Sequence, residues 1–245
     1  LLSSSAASDV YKRQEIGKAI SSHPEVDMVS FTGSTAAGIS VSKEASETVK
    51  RVTLELGGKS ANIILDDADM AKAAKMSVYS CFNNSGQECS SLSRLLIPSS
   101  HREEIMEVIS NTMERYSVGD PMDESIKCGP MVSESQQKSV SGYISKGISE
   151  GATVISGGLG TPEGVSRGFY VKPTVFADVT REMTIFREEI FGPVLSISTY
   201  ETEEEAIIMA NDSEYGLSGG VWSGDEELSL IPISEPTRLN EIAYA

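Results

Sequence analysis

The chain is 245 residues long, 39% apolar and 23% charged, with a formal net charge of −16. That length supports one large domain or two smaller ones, with ample material for a core. An excess of 36 acidic over 20 basic residues repels phosphate backbones and anionic lipid, so nucleic-acid and membrane-surface partners are set aside.

No apolar run approaches the roughly 18 residues of a membrane-spanning helix. The first residues lack the basic-then-apolar order of a signal peptide. Cys81, Cys89 and Cys128 contain no Cys-x-x-Cys pair, and His23 and His101 are the only histidines. Neither a disulfide framework nor a metal centre is therefore expected. Free thiols suit a reducing cytoplasm.

In chain order, residues 1–14 are rich in Ser and Ala and show no periodicity; they read as a non-native or disordered tail. Residues 15–19 look like the end of a helix, and 26–31 alternate as a short strand. A turn at 32–35 leads into a helix over 36–50, then a strand over 51–56. After Gly57-Gly58 a strand spans 60–65, and Asp66, Asp67 and Asp69 offer cap oxygens to a helix running to Phe82. A strand at 94–97 and a helix over 101–116 follow Cys89.

Beyond a loop holding Pro121 and Gly129-Pro130, a helix is expected over 133–150, with Gly151 placed to end it. Strands are expected at 153–155, 170–176 and 194–200, a helix at 203–211, and extended chain at 217–222. Residues 227–245, interrupted by Pro232 and Pro236, read as a second non-native or disordered tail. Strands alternating with helices indicate an α/β fold with a mainly parallel sheet.

Four motifs carry chemistry. Phe31-Thr32-Gly33-Ser34-Thr35, with Gly38 beyond, joins a strand to a helix; it is either an ordinary tight turn or a cradle of amides for a phosphate. Leu54-Glu55-Leu56-Gly57-Gly58-Lys59-Ser60 sets a carboxylate among apolar residues. Glu55 is either a surface glutamate on an edge strand or a general base that burial makes stronger. Phe82-Asn83-Asn84-Ser85-Gly86-Gln87-Glu88-Cys89 presents a thiol on a polar turn. A lone cysteine is often inert packing, but these polar neighbours suit a core cysteine poorly. Cys81, on an apolar helix face, and Cys128, beside Gly129-Pro130, read as structural. Glu188-Glu189-Ile190-Phe191-Gly192-Pro193-Val194 puts carboxylates and a ring just before a strand.

These four strings, in this order, resemble the aldehyde dehydrogenase superfamily over residues 15–226. Pro173-Thr174-Val175 and Tyr215-Gly216-Leu217 add to the likeness. The resemblance implies an NAD(P)-dependent oxidoreductase that turns an aldehyde into a carboxylic acid. By it, Cys89 is the nucleophile, forming a thiohemiacetal and then a thioacyl enzyme, and Glu55 activates the water that releases the acid. NAD or NADP would meet Gly33, Ser34 and Gly38 at its pyrophosphate, Glu189 at the nicotinamide ribose, and Leu56, Gly57 and Phe191 near the nicotinamide.

The implied architecture is the C-terminal remnant of a Rossmann-like cofactor domain over 15–56 and an incomplete catalytic domain over 57–226. The upstream asparagine of the family's oxyanion hole falls outside the chain, so the chain alone is expected to be inactive. Its parent is expected to be a cytoplasmic dimer or tetramer. An acylating, coenzyme A-dependent enzyme would not need Glu55, and a non-catalytic descendant would be free to lose it and Cys89. Both residues are present.

Overall fold

The computed structural model describes residues 5–225, with side chains from residue 14 onward. The segment 227–245 lies outside the described residues. The chain divides into two compact units between Gly57 and Gly58, one residue beyond the boundary expected from sequence.

The smaller unit contains α1 (Ser5–Ser22), β1 (Met28–Thr32), α2 (Thr35–Ser46) and β2 (Arg51–Glu55). The helix anticipated at 15–19 thus starts at Ser5, within the stretch read as a tail; residues 1–4 lie outside the described residues. β1 and β2 pair in parallel, Met28 opposite Arg51 and Thr32 opposite Glu55, with α2 as the crossover that parallel strands need. Ser34 caps α2 by accepting from Ala37 N at 3.3 Å. The helix stops at Ser46, short of residue 50, because Val49 takes a left-handed φ of 53°. Lys50 Nζ then donates to the His23 carbonyl at 2.6 Å, and the chain enters β2.

The larger unit is a six-stranded sheet in the order β5-β6-β7-β4-β3-β8. Its strands are β3 (Ala61–Ile64), β4 (Arg94–Pro98), β5 (Thr153–Ser156), β6 (Thr174–Ala177), β7 (Val194–Tyr200) and β8 (Gly219–Trp222). All pairings are parallel except β5 with β6, as the expected mainly parallel sheet requires. The helices are α3 (Met70–Phe82), α4 (Arg102–Met113), α5 (Glu134–Glu150), the four-residue α6 (Thr184–Arg187), which the sequence did not announce, and α7 (Glu203–Asn211).

The strands are covered on both faces. Leu95 and Ile97 pack with Val78, Ile105 and Ile109 of α3 and α4. Leu96, one residue out of phase, packs with Val140, Ile144 and Ala206 of α5 and α7. This period-two split explains why β4 reads as an unbroken buried run rather than an alternating one. β6 begins at Thr174 rather than at residue 170, since Pro173 has no amide to give a ladder. Local signals end the helices where expected: Asp69, Ser133 and Thr202 cap α3, α5 and α7, and Gly151 closes α5 at φ 96°.

Candidate active site

In the larger unit the motif residues share one edge of the sheet. Gly58-Lys59-Ser60 leads into β3, residues 83–93 into β4, Glu189–Pro193 into β7, and Tyr215–Ser218 into β8. These four strands run parallel, so every one of these segments lies at the amino ends of the strands. Open α/β sheets usually bind ligands at the carboxyl ends. The smaller unit follows the usual rule: Gly33 and Ser34 come directly after β1, and Glu55 is the last residue of β2.

The turn that presents Cys89 is built from left-handed backbone at three consecutive residues, Asn84 (φ 49°), Ser85 (φ 58°) and Gly86 (φ 69°). Such conformations cost free energy outside glycine and persist where the surroundings fix them. The surroundings do so here. Ser85 Oγ accepts from Gly129 N at 2.9 Å, and Asn84 Nδ2 donates to the Gln87 carbonyl at 3.1 Å. Gln87 donates to the Pro130 carbonyl at 3.3 Å and accepts from Val132 N at 2.8 Å. Cys89 itself is half-buried and free, whereas Cys81 and Cys128 are buried. Burial pushes the Cys81 thiol up to about 12 and raises that of Cys128, which suits the structural roles expected of both.

Gly86 is where this turn meets the Glu189 segment. A Cβ there would stand 2.2 Å from the Gly192 carbonyl oxygen. Gly86→Ala therefore combines left-handed strain with a backbone clash, and it is expected to cost about 2–4 kcal/mol. A urea denaturation midpoint unchanged from wild type would contradict this.

Glu189 lies on the other side of the recess lined by Gly58, Gly86, Glu88, Glu189 and Phe191. Its Oε1 accepts from Gly58 N at 3.1 Å. Burial raises its carboxyl above the ordinary range, opposed by the Gly58 N–H and then by Lys59. Phe191, 37% exposed, is held at a left-handed φ of 51° while its carbonyl accepts from Gln136 Nε2 at 2.9 Å. Gly58 also abuts the backbone of the Cys89 turn: a Cβ on it would come within 2.4 Å of the Cys89 carbonyl oxygen. The larger unit thus brings Cys89, Glu189 and Phe191 onto adjoining loops.

The smaller unit changes the reading of several positions. Glu55 is exposed, on the same face of β2 as Arg51 and Thr53, while Val52 and Leu54 turn the other way. The burial that one reading anticipated for it is not seen, because strand alternation sends every second side chain outward. Gly33 N donates to the Glu55 carbonyl at 3.0 Å, so its amide is already engaged. The amides left at the start of α2 are those of Thr35 and Ala36, since Ser34 satisfies the amides of Ala37 and Gly38. Gly38 is a packing glycine: a Cβ there would come within 2.6 Å of the Leu56 side chain. Leu56 and Gly57 are half-buried.

Two buried cations escaped the sequence reading. Lys59 is 1% exposed, and its Nζ has no hydrogen-bond partner among the described residues. Burial, aided by Arg94, pulls its pKa from 10.5 down to about 7, against the pull of Cys81, Glu189 and Glu188. Arg94, also 1% exposed, donates to the Lys59, Met209 and Ala210 carbonyls at 2.8, 2.9 and 2.8 Å. The only sequence signal for either was its place at the mouth of an apolar strand. Among the described residues no cluster of ligating side chains could hold a metal, and no helix is long and apolar enough to cross a membrane.

Comparison with known proteins gives one consistent answer. The sequence model of the aldehyde dehydrogenase family matches residues 8–231. A 3-succinoylsemialdehyde-pyridine dehydrogenase from a Pseudomonas species is 51% identical over 212 residues, 86% of this chain and 44% of the relative. The crystal structure of a Mycobacterium tuberculosis aldehyde dehydrogenase complexed with NAD+ superposes with a TM-score of 0.86 at 51% identity, covering 90% of this chain and 45% of that one. A mutant of aldehyde dehydrogenase C from Pseudomonas syringae, complexed with NAD+ and octanal, gives 0.85 at 46% identity, covering 87% and 44%. The chain spans less than half the length of these relatives.

Proposed function

The chain belongs to the aldehyde dehydrogenase family, and we propose that the protein of which it forms part oxidises an aldehyde to a carboxylic acid with NAD or NADP. The observation that carries this reading is the half-buried Cys89 thiol on a turn locked by Gly129, Pro130 and Val132, next to a loop that presents Glu189. Both buried cysteines have thiols that resist ionisation. Cys89, half-buried rather than buried, is the thiol assigned to the substrate.

In this reading the Cys89 thiolate adds to the aldehyde carbon and forms a thiohemiacetal on Sγ. When bound, NAD(P) supplies the acceptor for the hydride that this adduct loses. The thioester left on Cys89 is then hydrolysed by water, with Glu55 as general base. The residues fit the cofactor. One oxygen of Glu189 is fixed by Gly58 N–H, leaving the other for a ribose hydroxyl. The partly exposed Phe191 ring offers a flat surface for the nicotinamide, and Leu56 and Gly57 are assigned to the same ring. At the start of α2 the Thr35 and Ala36 amides suit a pyrophosphate, in the turn shaped by Gly33, Ser34 and Gly38. Two relatives in NAD+ complexes support this choice of cofactor.

The test uses protein of the relatives' full length, with NAD, an aldehyde and coenzyme A. Free acid is the expected product, and acyl-CoA in its place would overturn the hydrolytic reading. Cys89→Ala is expected to lower turnover by about a thousandfold or more. Glu55→Gln is expected to lower it by roughly 10²–10⁴ and to leave a thioacyl adduct visible by mass spectrometry. The present chain alone, spanning about 44% of a relative, is expected to be inactive; reduction of NAD at the full-length rate would refute that. The full protein is proposed to be a cytoplasmic dimer or tetramer, and sedimentation as a monomer would exclude the assembly.

A further inference from the structure

Glu88 and Ser90, the residues flanking Cys89 in the chain, line a cleft with Met76, Tyr79, Asn83 and Leu92, all within the larger unit. Among the described residues that line it, Glu88 is the only charged one. Its carboxylate is tied down at both oxygens: Asn83 Nδ2 donates to Oε2 at 3.0 Å, and Ser90 Oγ donates to Oε1 at 3.2 Å. Both donors are neutral. They orient the carboxylate without cancelling its charge, unlike an ion pair. Glu88 also lines the recess shared with Glu189, so it stands between the two openings, one residue from the nucleophile.

From this juxtaposition we infer that Glu88 is a specificity-determining residue, favouring aldehydes that carry an amine or ammonium group over those that carry a carboxylate. The inference rests on Cys89 being the nucleophile, as proposed above. Adjacent residues have Cα atoms ~3.8 Å apart. An ammonium a few bonds from a carbonyl carbon at Sγ therefore falls within the short range where a half-buried charge is poorly screened. A substrate carboxylate at the same place meets a like charge and finds no cation in the cleft lining. The Tyr79 ring and the Met76 thioether add polarizable surface that suits a cationic head.

The experiment needs only the purified chain and no turnover. Cys89 is modified with three methanethiosulfonates bearing a trimethylammonium, a neutral methyl or a sulfonate group. Rates are read on the Cys89 peptide by mass spectrometry and normalised to 2-mercaptoethanol. Buried Cys81 and Cys128 are internal controls. Wild type is expected to react about tenfold faster with the cationic than with the anionic reagent, a ratio that shrinks as salt is added. Glu88→Gln, which removes the charge and nearly keeps the shape, is expected to bring the ratio to about twofold. A wild-type ratio near one overturns the inference without any variant. An unchanged ratio in a Glu88→Gln protein with wild-type thermal melting also overturns it, because the preference then belongs to the overall charge of −16. A Cys89 inert to all three reagents overturns the nucleophile reading as well, which separates the two failures.

Discussion

Arg94→Ala is expected to destabilise the larger unit by about 3–5 kcal/mol. The guanidinium is fully enclosed and reaches three carbonyls at once, those of Lys59, Met209 and Ala210. Met209 and Ala210 lie in the last turn of α7 (Glu203–Asn211), where carbonyls have no intrahelical partner and a cation is favoured by the helix dipole. The third carbonyl belongs to the segment entering β3. One side chain therefore fastens a helix end to two strand entrances, while its carbon is 4.8 Å from the centre of the Phe186 ring. Alanine removes the donors, strands the carbonyls away from water and leaves a cavity.

Two further variants separate these effects. Arg94→Met fills most of the volume but donates nothing, so it recovers only the cavity part. Arg94→Lys keeps the charge, but a compact ammonium cannot span the planar fork, so an intermediate loss is expected. Urea unfolding of the three variants is the measurement. A loss below about 1 kcal/mol for Arg94→Ala would refute the account.

The second large effect runs the other way. Lys59→Met is expected to stabilise the chain by a few kcal/mol near neutral pH. Lys59 has its pKa pulled down to about 7 from 10.5. Below pH 7 both the folded and the unfolded chain hold the proton, and folding bears the full cost of burying the cation. Between pH 7 and 10.5 the unfolded chain keeps a proton that the folded chain has released, so stability rises with pH, by up to about 1.4 kcal/mol per unit. Cys81 has the opposite sign. Its folded value is pushed up to about 12 from 9.0, so its contribution falls as pH climbs above the unfolded value. The clean window lies between about pH 7 and 8.5, where wild type is expected to gain about 2 kcal/mol and Lys59→Met close to nothing from this source. Parallel slopes for the two proteins would show that the buried amine is not responsible.

The sequence made visible whatever depended on local pattern. α7 falls on the span expected for it, 203–211, with Thr202 capping its first turn and Ala206, Met209 and Ala210 buried. β4 was legible as a short apolar run, although periodicity alone could not say that two helix layers cover it. Cys89 stood out because its neighbours are polar, and the structure shows those neighbours spent on holding the turn. Lys59 and Arg94 were illegible for the complementary reason. A charged residue is ordinarily solvated, and only the meeting of β3, β4 and α7 encloses these two. The close approach of Leu56 to Gly38, where a Cβ would come within 2.6 Å of its side chain, was likewise invisible in the sequence. Glu55 shows the limit of composition: apolar neighbours in sequence lie on the opposite face of a strand.

The placement of Cys89, Glu189 and Tyr215 ahead of their strands has a kinetic consequence. Pairing of β3 with β4 joins near neighbours in sequence, but β4 meets β7 through Leu95 and Ile197, and β3 meets β8 through Ile63 and Val221. Contacts so distant along the chain form slowly, after the costs of loop closure have been met. The turn carrying the thiol has its own local bonds early, yet Gly192 closes over Gly86 only when β7 has docked. During refolding, the packing around the Cys89 turn is therefore completed only as the sheet closes.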